Sequence, residues 1–543
     1  MELLEQHFDT AFSAPNGIQK LRELILTLAM QGKLVPQDPR YAPTSQLLKD
    51  IDAEKKRLAK EGKIKAPKPL PEILPSDAPY ALPQSWQWVR LGFVGNIFNG
   101  NSINSSEKEA KYAGAKGLPY IATKDVGYGF DPLDYENGIC IPVREDKFRV
   151  AHEGAVLICA EGGSAGKKCG LTDRDICFGN KLFANELYGQ IPSRFILYAY
   201  LSPVFRASFA AAMTGIIGGV SIAKFVEIPI PLPPLEEQHS IVAKIDQLMA
   251  RCDALENLRN EREDKRLATH AAALSQLLDT TGNGSADDAW AFITQHFGDL
   301  YAVKENVTEL RKSILQLAIA GRLTESMDSS PAPKSISKSS DKPFTIPVHW
   351  NWVPLQAISD QSRGITYGIV KMEGEPSHGG VFALRCSDVK YRELDLSSVR
   401  RVSSEISDQY SRTVLKGGEL LLNIRGTLGG CVVVPESIAG YNIAREIALI
   451  PLNDKAHAEY ILNVISSPYF TEATNSNLRG IAYKGLNLGT LSSFLVPLPP
   501  KDEQMLIVKK VNHLLALCNA LESRIDAASG KQAELLRAVM AQV

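Results

Sequence analysis

Apolar residues at Ile241, Ile245, Leu248, Cys252 and Leu255 follow steps of four and three, which place them on one stripe of an α-helix. The same stripe returns near the other end of the chain at Ile507, Val511, Leu514, Cys518, Leu521 and Ile525. Each stripe follows a proline pair, Pro233-Pro234 or Pro499-Pro500, which blocks helix upstream and fixes the first turn. Glu236-Glu237 and Asp502-Glu503 come next, where the helix dipole favours negative charge. The alternating steps are those of a coiled-coil seam, so two long helices are predicted to pair with one another, antiparallel. LPPLEEQHSIVAKIDQLMARCDALE and LPPKDEQMLIVKKVNHLLALCNALE align without a gap, down to charges expected to be exposed. That agreement favours internal duplication over two unrelated helices on separate cores.

A second pattern repeats further upstream. QHFDTAFSAPNGIQKLRELILTLAMQGKL (residues 6–34) recurs as QHFGDLYAVKENVTELRKSILQLAIAGRL (residues 295–323). Leu21, Ile25 and Leu28 match Leu310, Ile314 and Leu317 at helical spacing, and Gly32 and Gly321 read as helix C-caps. AELLRAVMAQV (residues 533–543) resembles a third, truncated copy. Between these helices the texture changes to short β-type runs rich in glycine. LPQSWQWVRL (residues 82–91) opens the first such region and IPVHWNWVPL (residues 346–355) the second. The pairs Trp86/Trp88 and Trp350/Trp352 fall on one face of a strand and are expected to be core. Weaker matches follow, among them EGAVLICAEGGSAGK (residues 153–167) with GGELLLNIRGTLGG (residues 417–430).

The predicted fold class is α+β: two β-rich domains separated by two long helices, with extra helical N-terminal and central segments and an internal pseudo-two-fold repeat. The predicted divisions are a helical segment with a Pro-rich strap (1–80), a β-rich domain (81–235), a long helix (236–279), a repeated helical segment and linker (280–345), a second β-rich domain (346–500) and a second long helix (501–543). Within the first segment, SQLLKDIDAEKKRLAKEG reads as a charged helix with a solvated or docking face, and IKAPKPLPEILPSDAP as an extended linker. The Ser-, Pro- and Lys-rich stretch 322–345 reads as a second linker. The helical parts match closely and the β-rich parts weakly. The two halves therefore share a mechanical task and differ in what their β-domains do.

Composition changes this picture little. The 543 residues are 44% hydrophobic and 22% charged, with a formal net charge of −1, so any nucleic-acid face must be locally focused. No apolar run approaches the length of a membrane span. Eight cysteines without C-x-x-C spacing point to a reducing, cytoplasmic setting rather than to a disulfide framework or zinc site.

Catalytic signatures are poor. GGSAGKKC (residues 162–169) has the wrong spacing for a phosphate loop, with Lys168 where a magnesium-binding Ser or Thr should stand, and RGTLGGCV lacks the lysine. Neither LPPLEE nor LPPKDE has the residues that flank the proline pair in amino-methyltransferases, and no hydrolase elbow or zinc-protease motif occurs. The candidates left are polar and cationic groups on β-domain loops. In the first half these are Lys124, Asp125, Ser164, Lys167, Lys168, Asn180, Lys181, Ser221 and Lys224. In the second they are Arg385, Ser387, Asp388, Arg425, Thr427, Asn442, Arg445, Lys484 and Asn487. Arg and Lys bind phosphates or guanine edges, Asn suits adenine, and Ser and Thr adapt to either. A solvated surface is the plain alternative for each one.

With two PLPP-x-x-EQ helices, each after a β-rich domain opened by Pro-x-x-Trp-x-Trp-Val, the chain resembles the specificity subunits of type I restriction–modification systems. The LAMQGKL and LAIAGRL helices fit the same plan. The resemblance implies two target-recognition domains, each reading half of a gapped, asymmetric site in double-stranded DNA. It implies a chain that is not itself an enzyme and holds no cofactor. Two modification subunits would carry S-adenosylmethionine and methylate adenine, and restriction subunits would use ATP and magnesium. The segment before Leu82 would dock on a modification subunit. Two other classes stay open: a fused methyltransferase or nuclease, and a coiled-coil scaffold whose β-domains bind protein.

Overall fold

A computed structural model describes residues 10, 12–65, 68–128, 130–214, 218–278, 285–324, 342–426, 428–478 and 485–541. The chain divides into two compact units, Met1–Asn260 with Ser529–Val543, and Glu261–Ala528.

Unit 1 begins with α1 (Gly17–Met30) and α2 (Thr44–Lys60). Strand β1 (Gln87–Arg90) pairs antiparallel with β10 (Pro229–Leu232), so the β-rich region is entered and left through one two-stranded ladder. Between them lie β2 (Gly95–Asn99), β3 (Leu118–Ile121), β4 (Cys140–Ile141), β5 (Val150–Ala151), β6 (Val156–Cys159), β7 (Cys169–Leu171), β8 (Ile176–Phe178) and β9 (Leu182–Leu187). They form two four-stranded sheets, ordered β2-β9-β6-β7 and β4-β3-β8-β5, in which only β3 and β8 run parallel. Strand β6 has all four residues buried, as expected of an interior strand made only of apolar residues. Next come α3 (Ser193–Leu201), α4 (Pro203–Ala212), the single turn α5 (Ile222–Phe225), β10 and the long α6 (Leu235–Leu278).

Unit 2 repeats the order. After α7 (Ser285–Gln295) and α8 (Lys304–Ile319), β11 (Asn351–Pro354) pairs with β21 (Leu495–Leu498). Strands β12 (Thr366–Tyr367), β20 (Ile447–Ile450), β17 (Leu420–Asn423) and β18 (Cys431–Val433) form one sheet in the order β12-β20-β17-β18. Strands β16 (Arg400–Val402), β13 (Val381–Leu384) and β19 (Asn442–Ile443) form another, with β13 and β19 parallel. A small ladder joins β14 (Val389–Lys390) to β15 (Glu393–Leu394). Helices α9 (Ala458–Ile465), α10 (Pro468–Leu478), α11 (Leu488–Ser493) and α12 (Lys501–Met540) complete the chain.

The long helices exist as predicted, but their apolar stripes have other partners. Ile241, Ile245 and Cys252 lie in the unit 1 core with Ile25, Leu26, Ala29 and Met30 of α1, and Leu248 packs against that core. Ile507, Val511 and Cys518 lie in the unit 2 core with Ile314, Leu315 and Ala318 of α8, and Leu514, Leu521 and Ile525 pack against it. Leu255 is 49% exposed. The stripes thus serve each helix's own unit rather than a seam between copies. A short helix that precedes the β-region in the chain, Gly17–Met30 or Lys304–Ile319, offers the same complementary apolar face as a second long helix, and periodicity cannot distinguish the two.

The PLPP-x-x-EQ motif is likewise internal. Glu237, Gln238, Glu503 and Gln504 are buried, so of the matched charges expected to be exposed Glu237 and Glu503 are not, while Glu236, Asp502, Lys244 and Lys510 are. Gln238 and Gln504 each reach back to the carbonyl of the first proline, Pro233 or Pro499, at 2.9 Å. Glu503 accepts from Trp350 Nε1 at 3.1 Å, and Glu237 accepts from Gln37 Nε2 at 2.6 Å. Gly32 and Gly321 close their helices at φ of 69° and 70°. A Cβ at Gly32 would stand 2.5 Å from Pro83, and one at Gly321 would stand 2.4 Å from Pro347. The repeated Gly, Pro, Trp and Glu are therefore one joint built twice, and Trp86 and Trp350 are its buried centre.

Two segments of unit 1 are more firmly held than expected. The strap is no free linker: Arg90 of β1 donates to Pro71 O, Glu72 O and the Asp77 carboxylate. Helix α2 docks on its own unit through the buried Ile51 and through Lys55, whose Nζ lies 4.4 Å from the Phe93 ring centre. Among the described residues no single helix is long and apolar enough to cross a membrane. The apolar bent pair α3–α4 belongs to the core, with every residue of Phe195–Leu201 buried. All eight cysteines are free.

The far end of α6 enters unit 2. There His270 is buried, with Nε2 3.0 Å from Tyr301 Oη and the two rings edge-to-face. Burial lowers the imidazole pKa below its usual 6.5. The folded chain therefore favours neutral His270. That contribution to stability is complete above the unfolded pKa of about 6.5 and is lost as pH falls toward the lower folded value. Protection of α6 amides near His270 is expected to drop between pH 7.5 and 5.5, and His270→Gln should flatten that change in hydrogen exchange. An unchanged slope in the variant would remove His270 as its source.

Candidate nucleic-acid interface

In unit 1 the candidates gather at turns that follow β3, β6 and β8. Strand β3 runs into the turn Thr123–Asp125, where the Asp125 carboxylate accepts from Ala122 N at 2.8 Å. Asp125 is 4% exposed, so it locks the turn and is no base reader, while Lys124 stays exposed beside it. Strand β6 runs into the Gly-rich turn, closed by Gly166 N to Cys159 O at 2.8 Å and Lys167 N to Ser164 O at 3.0 Å. Lys168 Nζ donates to Thr123 O at 3.1 Å, which joins the two turns, and lies 5.0 Å from the ring of Tyr128. Lys167, Asn180 and Lys181 are exposed and Ser164 half-buried. Ser221 caps α5 by accepting from Lys224 N at 3.4 Å, and both are exposed. The Val220 N to Ala160 O bond brings Ser221 beside the same turn.

Unit 2 reproduces the frame with other side chains. Asp388 is 2% exposed and accepts from Arg385 N at 2.9 Å and Ser387 Oγ at 2.7 Å. It is a turn lock like Asp125, and it also engages the Arg385 guanidinium at 3.3 Å. Asn442 is fully buried, accepting from Thr413 Oγ1 at 2.6 Å and donating to Ser407 Oγ at 3.0 Å. It cannot read adenine: its amide satisfies the core where β19 meets the loops beside it. Arg425, Arg445 and Asn487 are exposed. Arg445 Nε lies 3.7 Å from Glu446, and Asn487 caps α11 by accepting from Gly489 N at 2.7 Å. Thr427 and Lys484 lie outside the described residues.

The structure thus keeps Lys124, Lys167, Lys181, Lys224, Arg425 and Arg445 exposed, leaves Lys168 and Arg385 half-buried, and removes Asp125, Asp388 and Asn442 from any ligand's reach. It also adds residues the sequence reading passed over. Tyr128 and Tyr391 are 61% and 52% exposed. Each lies a few residues beyond the locked turn of its unit, on a loop at the ends of the sheet strands. An aromatic left in solvent beside cations is suited to stacking on bases or sugars. Their signal in the sequence was a tyrosine three residues after the aspartate in each half, Asp125/Tyr128 and Asp388/Tyr391.

The family model described as the type I restriction modification DNA specificity domain matches residues 83–263 and 386–528. The specificity subunit of the type I restriction enzyme EcoAI of Escherichia coli is 27% identical over 560 residues, covering 96% of this chain and 93% of that protein. The EcoEI specificity subunit of Escherichia coli is 26% identical over 573 residues, with the same coverage of 96% and 93%. A chain from a structure of complex assembly and conformational transition in the type I R-M system shares the fold. It covers 86% of this chain and 98% of its own, with a TM-score of 0.50 at 18% identity.

Proposed function

Because the chain belongs to the type I restriction modification DNA specificity family, we propose that its two units read the two halves of a gapped, asymmetric DNA target. One observation carries this reading: the strand order of the main four-stranded sheet, β2-β9-β6-β7, recurs as β12-β20-β17-β18, with unlike cationic side chains on equivalent loops. A repeated frame fixes position while unlike loops specify unlike bases. In unit 1 the readers are Lys124, Ser164, Lys167, Lys168, Asn180 and Lys181, with Ser221 and Lys224 at the margin. In unit 2 they are Arg425, Arg445 and Asn487, with Arg385 and Ser387 in support. The domain limits are those of the β-rich regions, 81–235 and 346–500.

Helices α6 and α12 hold 44 and 40 residues, or about 66 and 60 Å. Helices of that length set the distance between half-sites, one turn of DNA being about 34 Å. Catalysis belongs to partners: modification subunits that bring S-adenosylmethionine to adenine, and restriction subunits that use ATP and magnesium.

Adenine methylation mapped across the genome of a host with the modification subunit, with and without this chain, tests the reading. A gapped motif that depends on the chain is expected. The same motif without the chain would move the scaffold reading to the front. Arg425→Ala is expected to weaken recognition of one half-site by about 1–3 kcal/mol and leave the other unchanged. Equal weakening of both would assign Arg425 to assembly.

A further inference from the structure

One backbone platform stands at the rim of each unit. In unit 1 Ala160 N donates to Lys181 O at 2.8 Å, and Ala160 O accepts from Val220 N at 3.0 Å. In unit 2 Ile424 N donates to Glu446 O at 2.8 Å, and Ile424 O accepts from Leu486 N at 2.8 Å. These paired bonds fix the register, so the next residues, Glu161 and Arg425, are equivalent. Each forms an antiparallel bridge to a glycine, Glu161 to Gly219 and Arg425 to Gly485. Each glycine also seats the side-chain stem. A Cβ on Gly219 would stand 3.3 Å from Glu161 Cγ, and one on Gly485 would stand 3.2 Å from Arg425 Cγ.

The same platform therefore presents a carboxylate in unit 1 and a guanidinium in unit 2. The neighbouring position is reversed as well, with Lys181 in unit 1 where unit 2 has Glu446. Lys181 Nζ lies 3.8 Å from Glu161 Oε1, with the two side chains 53% and 46% exposed. That loose pair offsets the repulsion between a carboxylate and nearby phosphates, and leaves the second carboxylate oxygen open. A carboxylate at a DNA surface gains nothing from the backbone and can only accept from a base amino group, chiefly cytosine N4. A guanidinium in the same place donates two hydrogen bonds to guanine O6 and N7.

We propose that Glu161 and Arg425 are matched specificity determinants, Glu161 selecting cytosine in one half-site and Arg425 guanine in the other. This rests on the reading of the chain as a DNA-recognition subunit. The test uses the full chain assembled with its modification subunit, and measures competition among duplexes changed one base pair at a time across both half-sites. In the unsubstituted complex one position of the unit 1 half-site should favour cytosine by roughly tenfold or more. Glu161→Gln should abolish that preference or turn it toward adenine, and Glu161→Arg should turn it toward guanine. The other half-site should keep its profile in both variants. Cytosine preference retained in Glu161→Gln would overturn the assignment, as would a uniform loss at every position. If Glu161→Arg does not assemble, the near-isosteric Glu161→Gln decides alone. An unsubstituted complex with no sequence preference would instead defeat the functional reading beneath it.

Discussion

Glu419→Ala is expected to destabilise unit 2 by about 3–5 kcal/mol, because it strands a buried charge. Arg363 and Glu419 are 8% and 4% exposed, with Arg363 Nη1 2.6 Å from Glu419 Oε1. The carboxylate also accepts from Lys416 N and Gly417 N, each at 2.8 Å. The guanidinium donates further to Arg412 O and Val414 O. One ion pair thus ties two segments, around Arg363 and through 412–417, to the start of β17, the strand that leads into the Arg425 turn. Removing the acid leaves Arg363 charged, buried and without its carboxylate, and releases two backbone amides. Glu419→Gln keeps an acceptor and should cost less. The matched position in unit 1 is Ala155, so the device is peculiar to unit 2. Hydrogen exchange should show lost protection in β17 with little change in β6. Equal loosening of both strands, or none, would count against the assignment.

Trp350→Ala is expected to cost a similar amount, about 3–5 kcal/mol for a buried tryptophan. The ring is 4% exposed and lies edge-on to Tyr460 at 6.5 Å. Its ring atoms approach to 3.2 Å of where a Cβ on Gly321 would stand. Its indole nitrogen and His349 Nε2 meet the same oxygen of Glu503, the latter at 2.9 Å. Truncation opens a cavity where α8, β11 and the first turn of α12 converge, and leaves Glu503 buried with one donor fewer. Chemical denaturation should report the loss, and exchange should locate it at the C-terminal turn of α8 and the N-terminal turn of α12. Trp350→Phe retains most of the volume and should recover about half. Full recovery would mean that the bond to Glu503 contributes nothing.

The sequence showed the duplicated frame clearly because helix joints impose fixed spacing: Gly32, Trp86 and Glu237 had to recur as Gly321, Trp350 and Glu503. It misled on the partners of the apolar stripe, since Ile241 and Ile507 satisfy the same periodicity whether they face a long helix or a short one. For the candidate site, residue type alone could not separate Asp125, Asp388 and Asn442 from surface groups. For Asp125 and Asp388 that separation depends on a turn closing three residues away, and for Asn442 on Ser407 and Thr413 from a loop about thirty residues earlier. The alignment of residues 153–167 with 417–430 brought the right segments together but, matched at Gly163 and Gly426, set Gly162 opposite Arg425, so the pairing of Glu161 with Arg425 was not legible in it. That pairing became chemistry only once backbone hydrogen bonds showed the two positions to be equivalent.

Unit 1 is assembled from two pieces of chain, Met1–Asn260 and Ser529–Val543. Leu536 and Val539, from the tail of α12, complete an apolar cluster with Phe12, Ala14 and Leu24. Unit 2 is one uninterrupted stretch, whereas unit 1 cannot close until residues 529–543 have been made. The unit begun first is thus finished last, inverting the usual N-to-C order of folding during synthesis. Its final contacts carry the loop-closure entropy of nearly the whole chain, which makes their formation slow. Loss of the last turns of α12, by a nonsense codon or a protease, would therefore injure the amino-terminal unit while sparing the Glu419 core of unit 2.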